Sequence, residues 1–235
     1  MKKHLKELSA IEILQELGAK PSISEEHGLA LLKPRDLNIF SPGISTAGFA
    51  EIRMAQSNQR RKIIATTIDQ EGLLFAQKII AEIGLDNQID ARLEDLRKVG
   101  IYPNNFFNFI YARLVLHYLP LEDLTNVLND FFRILKPGGR LFVVVRSTKN
   151  IPDKNDITFD PITKITSIPH KDSNGKLVFT EKRYFHTVQS ITDHLKQAGF
   201  RINHREAYKE QLYSDFMRAQ ISDIVDHVIE VHAVK

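Results

Sequence analysis

Two hydrophobic patterns alternate along this chain. Short unbroken apolar runs suit strands buried on both faces of a parallel sheet, and apolar residues at three- and four-residue steps suit amphipathic helices. Their alternation predicts strand–helix–strand crossover units in an α/β domain. The clearest unit begins with the apolar run Phe106–Ala112. Leu121, Leu124, Leu128, Phe131 and Leu135 follow at helical spacing, and then the run Leu141–Val145. Between helix and last run, Pro137 cannot continue a helix, and Gly138-Gly139 supply a stop and a tight turn.

The same reading extends to the rest of the chain. Residues 4–17 are expected to form an amphipathic helix, and 19–36 a loop. Strands are expected at Leu37–Phe40, Ile63–Asp69 and Gln88–Arg92, and a helix over Glu71–Ile83 ending at Gly84. Two extended segments, Thr163–Ile168 and Lys176–Tyr184, flank Asp172-Ser173-Asn174-Gly175, and Asn-Gly is a strong hairpin signal. Thr187 is expected to cap a helix over Val188–Gln197. A strand over Arg201–Ala207, an aromatic segment Tyr208–Met217 suited to walling a pocket, and an alternating strand Val228–Val234 complete the pattern. The organisation predicted is an N-terminal helical cap, 1–36, and one domain, 37–235, with an insertion at about 150–187.

Composition narrows the chemistry. With 43% hydrophobic residues in 235, a single core is easily built. The chain has no cysteine, which removes disulfides, thiol nucleophiles and cysteine-ligated zinc. The 32 basic residues are spread out and the net charge is only +3, which argues against a nucleic-acid partner. No apolar run reaches the ~20 residues of a membrane span, and the charged start MKKHLKELSAIEIL does not resemble a signal peptide. A cytoplasmic protein is expected. The nine histidines show no metal-ligand spacing, so no metal is expected.

The order FFNFIYA, RLVLHYLP, helix, LKPGGRLFVVV resembles the middle of class I S-adenosylmethionine-dependent methyltransferases. The likeness extends over roughly Leu37–Lys235. It implies a Rossmann-like fold: a mostly parallel seven-stranded sheet, the last strand antiparallel, with helices on both faces. It also implies S-adenosylmethionine as cofactor and a small-molecule methyl acceptor. The oligomeric state is left open, a homodimer included.

The resemblance assigns roles residue by residue. The family's acidic residue and three glycines after the first strand fall on Ser41, Gly43, Ser45 and Ala47, so one glycine of three is kept and the acid is lost. Asp69 matches the acid that accepts bonds from the ribose hydroxyls, with Gln70 beside the adenosine. Asp95 matches the acid at the adenine amino group, and Leu96 offers an amide and an apolar contact. Ala112 and Arg113 match the rim near the methionine moiety, while His117, Tyr184 and His186 are candidates to face the acceptor.

Simpler roles stand beside these. Asp69 and Asp95 suit helix N-caps, His117 suits plain packing, Tyr184 and His186 suit an edge-strand pair, and Ser41–Ala47 suits a ligand-free turn. The eroded loop also supports a second reading of the whole chain, a non-catalytic protein of this fold serving in regulation or protein interaction. A dehydrogenase would be expected to keep a better glycine fingerprint.

Overall fold

The computed structural model describes residues 22–44, 48–151, 156–213 and 221–235. The helix expected over 4–17 lies outside them. Ten strands run in chain order among the described residues: β1 (Asn38–Pro42), β2 (Lys62–Thr67), β3 (Ile89–Leu93), β4 (Phe107–Arg113), β5 (Leu135–Arg146), β6 (Thr158–Phe159), β7 (Ile165–Lys171), β8 (Leu177–Tyr184), β9 (Arg201–Tyr213) and β10 (Ile221–Val234). Among the described residues the α-helices are α1 (Ile23–Ala30), α2 (Phe49–Gln56), α3 (Gln70–Glu82), α4 (Leu121–Ile134) and α5 (Val188–Gln197).

Seven strands form the main sheet in the order β3-β2-β1-β4-β5-β10-β9. The pairs β1–β2, β1–β4, β2–β3 and β4–β5 are parallel, and β10 is antiparallel to both neighbours. This is the Rossmann-like arrangement expected from the sequence. The core divides by strand parity. Phe40, Ile110, Val143 and Ile229 face α4 and α5, whereas Ile39, Phe109, Val144 and Val228 face α1, α2 and α3. The Lys136–Gly139 turn bulges out of β5, with Leu135 paired to Phe107 before it and Arg140 to Phe109 after it.

The expected hairpin is β7–β8, closed by Asp172, whose carboxylate accepts from Asn174 and Lys176 amides at 2.9 Å. It gains β6 as a third strand, forming a small separate sheet. Thr187 caps α5 in a reciprocal pair: its hydroxyl accepts from the Ser190 amide at 3.0 Å, and Ser190 Oγ accepts from its amide at 2.9 Å.

Two expectations are corrected. Part of the expected loop 19–36 is α1, whose buried positions are Ser24, Glu25 and Gly28 rather than an apolar stripe. Gly28 lets the helix lie on the stacked rings of Tyr111 and Phe142, because a Cβ there would sit 2.4 Å from Tyr111 Cε2. Second, the strand expected over Arg201–Ala207 runs on through Tyr208 to Tyr213, because the antiparallel ladder with β10 extends that far; the rest of the expected aromatic segment, 214–217, lies outside the described residues.

Candidate active site

The carboxyl ends of β1–β5 form one rim, the edge at which open α/β sheets bind ligands. At the end of β1, buried Ser41 donates its hydroxyl to Oε1 of Glu51 on α2 at 2.5 Å. Gly43 follows with φ +75°, and the amides of Gly43 and Ile44 both donate to the Thr66 carbonyl at 2.8 Å. A Cβ on Gly43 would lie 3.0 Å from Val115 Cβ, so this glycine lets the loop after β1 rest on the segment after β4. Ser45 and Ala47 lie outside the described residues.

At the next two tips the acids act as caps. Asp69 Oδ1 accepts from the Glu71 amide at 3.1 Å at the start of α3. Gly72 leaves room for the other oxygen, since a Cβ there would come within 2.5 Å of it. Gln70 is exposed beside it. Asp95 Oδ1 accepts from the Arg97 amide at 2.9 Å, and both its oxygens meet the Arg97 guanidinium. The Arg97 hydrogen bonds hold the Asp95 carboxyl below its ordinary range. Leu96 begins the short 3-10 turn that follows and packs into the core.

At the end of β4, Ala112 is buried and Arg113 turns its side chain toward α1. Arg113 donates to Ser24 Oγ at 2.6 Å and Ser22 Oγ at 2.5 Å, and lies 3.8 Å from Glu210. Its guanidinium therefore ties α1 and β9 to the rim, leaving its main chain to line it. Leu114 then takes φ +55°, a left-handed conformation costing a non-glycine residue about 1–2 kcal/mol. Its amide donates to the Val144 carbonyl at 2.8 Å.

Beyond this bend, the separate candidates His117, Tyr184 and His186 come together under the small sheet. His117 and His186 are each 0% exposed, and neither ring nitrogen of either has a hydrogen-bond partner among the described residues. The Tyr184 and His186 rings meet edge-on at 4.6 Å, and His117 lies 4.5 Å from the Tyr118 ring. Burial drives the His117 pKa well below its ordinary value, with Arg146, Arg183 and His186 adding to the effect. Burial, with a smaller push from His194, lowers His186 to about 3. Both imidazoles are therefore neutral at neutral pH. Arg146 pairs with Asp226, Arg183 lies over the Tyr118 ring, and the buried Thr166 hydroxyl on β7 has no partner among the described residues.

Residues 42–143 match a family model described as a methyltransferase domain. The match begins at the end of β1 and closes within β5, so it contains the tips of β2, β3 and β4. Over that span the chain resembles a methyltransferase domain. An S-adenosylmethionine-dependent methyltransferase from Methanosarcina mazei shares the fold with a TM-score of 0.64 at 17% identity, over 88% of this chain and 95% of that one. Another, from Mesorhizobium loti, gives 0.59 at 20%, over 90% and 98%. The [4+2]-cyclase SpnF gives 0.61 at 17%, over 90% and 78%. At these identities the likeness is one of fold, and the cyclase is a reminder that a fold does not dictate a reaction. Among curated proteins no sequence matches.

The rim has groups that suit S-adenosylmethionine, the cofactor that the sequence resemblance implies. Asp69 spends one oxygen on a backbone amide and a carboxylate oxygen has lone pairs for more than one donor, whereas both oxygens of Asp95 accept from Arg97, whose exposed guanidinium would turn aside for a ligand. The acid missing at Ser41 has a counterpart in Glu51, whose buried carboxylate comes from the next helix. Motif matching missed Glu51 because it stands ten residues from the aligned position. It also missed Leu114, Arg146, Arg183 and Thr166, whose importance rests on backbone conformation or burial. A hollow of about 570 Å³ bordered by Lys62, Gln77, Ile80, Asn87 and Gln88 lies at the opposite, amino edge of β2 and β3, away from all of these groups.

Proposed function

We propose that the protein transfers a methyl group from S-adenosylmethionine to a small-molecule acceptor carrying a hydroxyl, with His117 as the general base. The observation that carries this reading is that one sheet edge joins two carboxylates at the tips of β2 and β3 to a buried neutral imidazole past β4. When bound, the cofactor supplies a methyl group on a positively charged sulfur. Asp69 accepts the ribose hydroxyls, Asp95 and the Leu96 amide hold the adenine, and Glu51 with Ser41 faces the ammonium end.

The other half of the site handles the acceptor. A neutral imidazole with a free nitrogen takes the hydroxyl proton, a role that contributes typically about 10²–10⁴-fold in rate. His186 and Tyr184 orient the same group, and the small sheet covers it from water. Arg146 and Arg183 favour an acceptor bearing polar or anionic substituents.

The test begins with thermal unfolding in S-adenosylmethionine and in S-adenosylhomocysteine. Ligand at 100 times its dissociation constant stabilises by about 2.7 kcal/mol, a rise of about 5–10 °C for this size. A screen of hydroxyl-bearing small molecules for methyl transfer follows. No rise at saturating ligand overturns the reading. It would favour the second one, a non-catalytic interaction module, whose own support is the serine at position 41 and the loss of two glycines after it.

A further inference from the structure

A second concentration of ligand-type side chains lies on the α1 face of the β9–β10 ladder. His204 is paired with His232, Glu206 with Glu230 and Tyr208 with Val228. Alternate strand residues share a face, so His204, Glu230 and His232 stand on one side of the sheet. One ligand atom from each of these three lies within 4.8 Å of the other two. The sequence hid this group because cross-strand neighbours have no local spacing.

Glu230 is the centre. It is 1% exposed, and its two oxygens are used differently. Oε2 accepts from the Tyr208 hydroxyl at 2.5 Å and meets His27 Nδ1, from α1, at 3.0 Å. Oε1 faces only His232 Nε2, at 2.6 Å, among its described hydrogen bonds. The His204 and His232 rings lie 4.6 Å apart, and the His204 side chain is 44% exposed, which opens the group to solvent on one side.

We propose that His204, His232 and Glu230 Oε1 bind a divalent transition-metal ion of the Zn²⁺, Ni²⁺ or Co²⁺ class. Two imidazoles and one carboxylate are borderline ligands that suit these ions rather than Mg²⁺ or Ca²⁺. Ligand atoms around such an ion sit about 3–3.5 Å apart, so Glu230 and His232 part by less than about 1 Å as the shared proton leaves. Tyr208 and His27 become the supporting shell that orients the carboxylate, a feature metal sites commonly require. Because His27 belongs to α1, the bound ion also fastens that helix to the β9–β10 ladder.

The experiment is titration of the full chain, purified without a histidine tag and stripped with chelator, with Zn²⁺ alone, followed by calorimetry and by thermal unfolding. One equivalent is expected to bind, with a midpoint rise of about 5–10 °C at 100 times the dissociation constant. His204→Ala, a half-exposed position, is expected to keep the fold and weaken binding at least about tenfold, as is His232→Ala. His170→Ala, on the small sheet, is expected to change nothing. Bound Co²⁺ is expected to show an intense visible spectrum that His204→Ala removes. Absence of a saturable site below about 100 µM, or equal affinity in the parent and His204→Ala proteins, overturns the proposal.

Discussion

At the tips of β2 and β3, Asp69 and Asp95 each accept a bond from the backbone amide two residues further on. Past the ends of β4 and β5, His117 and His186 are sealed from solvent with no hydrogen-bond partner for any ring nitrogen among the described residues. The two halves of one rim thus differ in how their polar groups are satisfied. Carboxylates that cap helices are fixed before any ligand arrives, and their hydrogen bonds are satisfied, Asp69 by a backbone amide and Asp95 by Arg97 as well. Buried unpaired imidazoles cost about 1–3 kcal/mol each. Such a cost in a native structure asks for a functional explanation. The comparison teaches that the carboxylate half is built to stand alone, and the histidine half to be completed by an acceptor.

The largest test of that contrast is His117→Leu. Methyl transfer to a hydroxyl acceptor is expected to fall by about 10²–10⁴-fold, measured by turnover. The melting midpoint should rise by about 2–6 °C, because an unsatisfied group is replaced by an apolar one. A fall in midpoint with activity kept would show His117 to be a packing residue.

On the carboxylate side, Asp69→Asn retains the cap, since the two residues cap about equally. It is expected to weaken S-adenosylhomocysteine binding by about 10–100-fold in calorimetry, because hydrogen bonds to a charged acceptor are lost. Unchanged affinity would leave Asp69 a cap and nothing more.

The histidine half should also reveal itself in acid. His186 titrates near 3 in the folded chain and near 6.5 when unfolded, so between these values the unfolded chain holds protons that the native one refuses. Stability should therefore fall as pH drops from 6.5, by up to about 1.4 kcal/mol per unit for each such histidine. His117 adds in the same direction. Denaturant unfolding of His186→Leu across this range should give a flatter profile, and an identical slope would contradict the buried neutral state.

The smallest expected effect belongs to Gly72→Ala. The new Cβ would press within 2.5 Å of Asp69 Oδ2 and turn the carboxylate. A loss of about three- to tenfold in cofactor affinity is expected, on the order of 1 kcal/mol. An Asp69→Asn/Gly72→Ala pair should then lose less than the sum, since both act through one side chain.

Much of the fold was legible because its signals are local. The Leu121-to-Leu135 stripe, the Pro-Gly-Gly turn and the unbroken strand after it each follow from backbone chemistry and burial on both faces. The Asn-Gly hairpin and the Thr187 cap are of the same kind. α1 was illegible because its buried face carries Ser24, Glu25 and Gly28, chosen for Arg113, Glu210 and a flat aromatic pair rather than for hydrophobicity. The end of β9 was misread because its polar partners come from β10. Among the candidate site residues, Asp69 and Asp95 were visible through position alone. That His186 comes near enough to act on the charge of His117 is a product of crossover topology, and that their ring nitrogens have no partners among the described residues is visible only from burial.

The small sheet has one further property. It leaves β5 and returns to α5 at a single point: Ser147 bridges His186, the Thr148 amide donates to the His186 carbonyl at 2.8 Å, and the His186 amide donates to the Arg146 carbonyl at 3.1 Å. The excursion is thus closed at its neck, with Tyr184 and Ile165 packed back against the main core. Lengthening such a loop is cheap, about 0.6 kcal/mol per doubling. The outer end of the ribbon, around the Asp172–Lys176 turn, is therefore the part most open to exchange. Grafting a different end onto this ribbon would alter which molecules are admitted while the carboxylate half, on the far strands, stays as it is.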